Sequence, residues 1–184
     1  VAVAAVSLVG ARFSTMTVQK SPAAFSDVGK EFYPKFDDPD QAKQLEVVAY
    51  NAETAESRVF GVQFKDGLWR IPSRHNYPAD GKDRLAKCAA SILHLKREAL
   101  AGQRAAEHPD FEVVDPLDEK SESLKRGQRI TLKSESGDVL SDYIIGKDVP
   151  NRTGYYNIRR HDETATYIVK LELELSNKYA DWIE

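Results

Sequence analysis

The chain has 184 residues, 41% of them from the AVILMFWYC set, which is enough for one domain with an appended segment and for an ordinary core without staples. Lys+Arg number 26 against 29 Asp+Glu, a formal charge of −3, and this balance argues against a general nucleic-acid binder, which carries a net basic footprint. The single cysteine, Cys88, excludes an intramolecular disulfide and any multi-cysteine zinc or iron–sulfur site.

In chain order, residues 1–12 open with an uncharged apolar run that stops at Arg12. As a helix its eleven residues would rise about 16 Å, half of a bilayer's hydrocarbon core. The run is read first as the remnant of a membrane-anchoring helix. A signal-peptide apolar region ending at Val9-Gly10-Ala11 and a buried element of the domain are the alternatives. The first two place the rest of the chain outside the cytoplasm. Residues 13–44 form an extended connector whose Phe32, Tyr33 and Phe36 dock on the domain, with a turn at Asp37-Asp38-Pro39-Asp40 leading into a short helix at 40–44.

The α+β domain is expected over 45–184. Strands at 45–50, 58–64 and 68–71 make a meander, with Asp66-Gly67 as a tight turn between the last two. Asp80 caps one long helix over 81–105, where Leu85, Cys88, Ile92, Leu95 and Ala99 recur at helical spacing and form an apolar stripe. A strand at 111–114 and a polar loop or helical turn at 117–126 follow. Strands at 129–133, 139–145, 154–160 and 165–169 make a second meander, and residues 175–184 read as a short C-terminal helix capped by Ser176. No glycine terminates that helix, so the native chain is expected to continue past Glu184. The expected fold class is α+β. It is mostly antiparallel sheet from two strand meanders, with one long amphipathic helix packed across it and a short C-terminal helix.

Chemistry-bearing constellations are sparse. Ile145-Gly146-Lys147 lacks the earlier glycine and the following Ser or Thr of a phosphate-binding loop. His94 and Glu98 share a helical face without a third ligand, and Asp37, Asp38 and Asp40 match no calcium-loop spacing. Ser73, His75 and Asp80 would suit a hydrolase, but no nucleophile-elbow motif accompanies them. Cys88 reads as a small core hydrophobe, and Asn151-Arg152-Thr153 is a formal glycosylation sequon. Trp69, Tyr155, Tyr156 and Arg159 remain as a candidate binding surface for an envelope polymer or lipid, although strand alternation divides the last three between two faces. No catalytic residue, cofactor or metal is assigned.

One succession carries more weight than any single motif. Gly67-Leu68-Trp69-Arg70-Ile71 is followed by Asn76-Tyr77-Pro78-Ala79-Asp80, Val114-Asp115-Pro116 and Tyr143-Ile144-Ile145-Gly146-Lys147. Tyr155-Tyr156-Asn157-Ile158-Arg159, Tyr167-Ile168-Val169 and Asp181-Trp182-Ile183 complete it, and the stretch from Gly29 to Leu45 looks like the lead-in of a membrane-anchored branch. This order resembles the DUF4340 family of bacterial proteins. The resemblance implies a membrane-anchored domain of the bacterial cell envelope, in some members encoded beside ABC transporters of the gliding-motility type, and it supplies no catalytic residues. The resulting expectation is a non-catalytic, membrane-tethered module outside the cytoplasm, accessory to an ABC-type transporter or envelope complex. Its expected contacts are a membrane, through the N-terminal segment, and transporter or envelope proteins, with no nucleic acid. Polymer or lipid binding and an undetected hydrolase are the alternatives.

Overall fold

Alternating apolar residues, such as Phe60, Val62 and Phe64, give each strand one face to bury, and pairing the strands side by side merges these faces. The computed structural model describes residues 26–172. Within them lie β1 (Gln44–Asn51), β2 (Glu56–Lys65), β3 (Leu68–Ile71), β4 (Tyr77–Pro78), α1 (Lys82–Ile92), β5 (Ala99–Gly102), α2 (His108–Phe111), β6 (Gln128–Lys133), β7 (Val139–Asp148), β8 (Tyr155–Arg160) and β9 (Thr166–Lys170). The strands form one 9-stranded sheet in the order β4-β3-β2-β1-β6-β7-β8-β9-β5. Every neighbouring pair is antiparallel. The two expected meanders are therefore both present, joined along the β1–β6 seam.

One face of the sheet carries the core. Leu45, Val47, Val62, Ile71, Ile130, Leu132, Tyr143, Ile158, Tyr167 and Val169 are buried there, under Leu85, Cys88, Ala89 and Ile92 of α1 and under Phe32 and Phe36 of the lead-in. Each such aliphatic side chain contributes about 1.5–3 kcal/mol on burial. Phe32 meets Tyr143 and Tyr167 edge-on at centroid distances of 5.4 and 5.7 Å. Burial pushes the Cys88 thiol up to about 12, so it stays protonated and packs as a small apolar group.

The expected α+β class, with one long amphipathic helix packed across the sheet, is corrected by the structure: among the described residues the fold is mostly a 9-stranded antiparallel sheet with two short α-helices, of 11 and 4 residues. Residues 93–105 have good helix formers, but propensity amounts to only tenths of a kcal/mol per residue and tertiary pairing overrides it. The helix stops where Leu93 N–H bonds Ala89 O and His94 turns to φ +54°. Beyond this point the backbone pairs with the lead-in. Phe32 N–H donates to Leu95 O at 3.0 Å, Arg97 N–H to Lys30 O at 3.0 Å and Gly29 N–H to Arg97 O at 2.7 Å. Ala99–Gly102 then adds to β9 as an edge strand. At the other end, the residue before the helix is Gly81, with no side-chain cap, so the expected cap from Asp80 is absent.

The expected strand at 111–114 is corrected as well. Phe111 ends α2, Glu112 turns to φ +57°, and only Val114 makes an isolated bridge, to Arg126. The expected C-terminal helix and the N-terminal apolar run lie outside the described residues. Asp38 caps a 3₁₀ turn at Pro39–Gln41 by accepting from Asp40 N–H, in place of the short helix expected at 40–44.

Candidate functional site

The sheet's second face is polar at its centre and is covered by the segment from residue 103 to 127. Close backbone approach makes this covering possible. A Cβ placed on Gly146 would stand 2.2 Å from Phe111 O, and one on Gly127 would stand 2.9 Å from Glu112 O. On this face β6 and β7 bring Thr131 directly opposite Asp142. Arg129 grips Asp142 with two bonds, Nε to Oδ1 at 2.9 Å and a terminal nitrogen to Oδ2 at 2.7 Å. Its other terminal nitrogen reaches Asp115 Oδ2 at 3.0 Å, tying the covering segment to the sheet.

His161, at the β8–β9 turn, closes the cluster. Its Nε2 lies 3.1 Å from Asp115 Oδ2, and its backbone N–H donates to Asp142 O at 3.1 Å. Beside it the Arg159 guanidinium is buried and surrounded by carbonyls, donating to Val113 O at 2.8 Å, to Arg160 O and His161 O at 3.0 Å and to Glu163 O at 3.1 Å. Burial lowers the Arg159 pKa, against an opposing pull from the Asp115 charge. Burial also works against the Arg129 charge, but its bonds to Asp142 and the charges of Asp142 and Asp115 outweigh that, and its pKa is raised. Beside the cluster lies a recess of about 400 Å³ lined by Asp115, Leu117, Asp118, Arg129, Arg159 and His161. Chemically, this arrangement fastens residues 111–118 to the sheet through charge-assisted bonds.

The structure separates the residues expected to form a binding surface. Trp69 stacks obliquely on Phe64 at 5.3 Å on the core face of β3. Tyr155 and Tyr156 lie in β8, five inter-strand steps away, or about 24 Å at the usual strand spacing. Tyr156 packs against the core, while Tyr155 on the other face sits under Arg152, 3.7 Å from its ring centroid. Arg159 is the one member of that set that belongs to the polar cluster. His94 bonds Glu31 at 3.2 Å, and Glu98 accepts the backbone N–H of Lys170 at 3.1 Å, so the two serve different partners. Among the described residues no hydrogen bond joins Ser73, His75 and Asp80, and no group of three or more His, Cys, Asp or Glu is placed to hold a metal.

The sequence analysis assigns no role to Arg129, Asp142 or His161, and names Asp115 only within Val114-Asp115-Pro116. The available signal is alternation: Arg129 and Thr131 flank buried Ile130, and Asp142 precedes buried Tyr143, so all three lie on the face opposite the core.

A family model described as "Domain of unknown function (DUF4340)" matches residues 69–184. The chain belongs to this family. Comparison with curated proteins and with solved structures finds no match. The DUF4340 span contains the whole polar cluster but begins inside β3, so β1 and β2, which supply the middle of the sheet, precede it.

Proposed function

We propose that this DUF4340 chain is a non-catalytic, membrane-tethered module outside the cytoplasm, serving as an accessory component of an ABC-type transporter or cell-envelope complex. The observation that carries the reading is the closure of the polar cluster. Its guanidiniums, carboxylates and imidazole bind one another or the backbone, and so brace a covering segment against the sheet. Groups engaged in this way stiffen a scaffold that presents its edges and grooves to a partner. The family resemblance supports the envelope setting. Among the described residues no helix is long and apolar enough to cross a membrane, and the apolar residues 1–11 are the proposed tether.

Polymer binding through Trp69, Tyr155, Tyr156 and Arg159 has less support, because these side chains are divided between distant strands and two faces. The test is expression of the full-length gene with its neighbouring transporter genes, followed by fractionation and co-purification. Recovery in the membrane fraction together with transporter subunits is expected. Cytosolic recovery, or no association, would overturn the proposal.

A further inference from the structure

An open strand position lies beside β2. The Asp66-Gly67 turn has φ +54° and +77°, the conformation of a two-residue hairpin in which Lys65 and Leu68 exchange both hydrogen bonds. Odd-numbered residues of β2 therefore turn their backbone N–H and C=O toward β3, and even-numbered ones toward β1. The bond from Phe64 N–H to Lys43 O at 2.8 Å agrees. On β2, β3 pairs with Gln63–Lys65 and ends at Ile71, after which Pro72–Arg74 make a tight turn instead of continuing the strand. Among the described residues, Ser57, Val59 and Gly61 are thus left with backbone groups that no strand pairs on this side, over about 17 Å, with the turn at Pro72–Arg74 packed nearby against β2. A groove of about 870 Å³ lies at this end of β2, bounded by Ala49–Glu53 of the β1–β2 hairpin, by Arg58, Val59 and Phe60, and by Ser73 and Arg74. Val59 is 53% exposed. Among the described residues Arg58 has no ion-pair or hydrogen-bond partner, and the stretch from residue 56 to 61 contains none of the prolines, lysines or bulges that blunt a strand edge.

We infer that this edge of β2 docks an extended segment of a partner protein by strand addition, with an acidic side chain beside Arg58 and Arg74 and an apolar one over Val59. Residues 58 and 59 point to opposite faces, so the partner segment alternates acidic and apolar residues. Glu53 and Glu56 at the hairpin end disfavour acid there. The inference rests on the interaction-module reading and names its docking edge.

The test uses the ¹⁵N-labelled 184-residue chain and an acetylated, amidated heptapeptide alternating Val and Glu, with a Val–Lys heptapeptide as control. Binding of the Val–Glu peptide is expected to shift the Ser57, Val59 and Gly61 amides and to slow their hydrogen exchange at least about tenfold at saturation. Arg58→Glu is expected to weaken that binding at least about tenfold, and Val59→Pro, which removes a donor of this edge, to abolish it. Should Val59→Pro fail to fold, Arg58→Glu on its exposed side chain decides. Equal binding of the Val–Lys peptide, shifts confined to other strands, or indifference to Arg58→Glu would overturn the inference. So would a dimer in sedimentation that Val59→Pro dissociates and the peptide leaves intact, since the edge would then serve a second copy. Transporter subunits take no part in this assay. Peptide binding with failed co-purification removes only the accessory reading, and the reverse result removes only this edge.

Discussion

Gly146→Ala isolates the closeness with which residues 111–113 lie on β7. The new methyl carbon would stand 2.2 Å from Phe111 O and 2.7 Å from Val113 Cγ1, where ordinary contact needs more than 3.4 Å. Gly146 does not have a positive φ, so the effect is steric. Either β7 bends or the covering segment lifts by more than an ångström. Lifting weakens the bond from Arg159 to Val113 O and exposes Val113, which is now fully buried. Overpacking alone costs about 1–3 kcal/mol, and a weakened charged bond about 1.5–3 kcal/mol, with the two overlapping because they share one displacement. A total near 3 kcal/mol is expected, a sizeable part of the roughly 5–15 kcal/mol typical of a domain. Gly137→Ala is the control. Its φ is +91° with nothing within 4 Å, so only the left-handed backbone penalty of about 1–2 kcal/mol applies. Urea unfolding followed by circular dichroism gives both values, and hydrogen exchange at Val113, whose N–H bonds His108 O, reports the lifting. If Gly146→Ala is no more destabilising than Gly137→Ala, the steric reasoning about this face is wrong.

Three further outcomes are expected. Phe32→Ala empties a core position flanked by Tyr143 and Tyr167 and should cost about 3–5 kcal/mol in urea unfolding; a loss below about 1 kcal/mol would detach the lead-in from the core. The Glu107 carboxylate accepts from the backbone N–H of Arg104, from the Arg104 side chain and from Gln103 N–H, which together hold it down at about 2 against an ordinary 4.5. Its contribution is therefore complete above pH 4.5 and lost as the pH falls through about 2. Glu107→Gln should lower Tm at neutral pH by a margin that closes over that acid window, and a margin independent of pH would refute the assignment. A fragment of residues 69–184, the family span, lacks β1 and β2 and leaves β3 and β6 without their inner neighbours, so thermal melts of it should show no cooperative transition.

Strand existence was legible because each strand alternates against a single buried face: the run at 68–71 coincides with β3, and those at 45–50, 58–64, 129–133 and 165–169 differ from their strands by one or two residues at an end. The end of α1 was illegible because Leu95 continues the helical spacing by coincidence. It is buried from an extended segment held by Gly29–Phe32, about sixty-five residues earlier, and local pattern carries no record of that pairing. The run Phe111-Glu112-Val113-Val114 looks like a strand because two valines are buried, but they are buried by crossing a sheet face rather than by joining its ladder. The polar cluster was hidden for a related reason. Asp115, Arg129, Asp142 and His161 come from four separate segments, and each looks locally like a strand end, a solvated strand face or a turn.

The treatment of the sheet's margins bears on function more directly than its interior does. At one extreme edge the two-residue β4 includes Pro78, which has no N–H to offer a neighbouring strand. At the other, β5 is short and irregular, with a register shift between Leu100 and Gly102. Both are ways in which a sheet resists adding strands. The run from residue 56 to 61 of β2 lies inside these margins and has neither device, although β2 is, with β7, one of the two longest strands at 10 residues each. Extending β3 past Ile71 would have covered it; Pro72 and the turn at Pro72–Arg74 end the strand instead. A protected periphery around this stretch, in which Arg58 has no ion-pair or hydrogen-bond partner among the described residues, is the pattern expected of an edge that receives a partner.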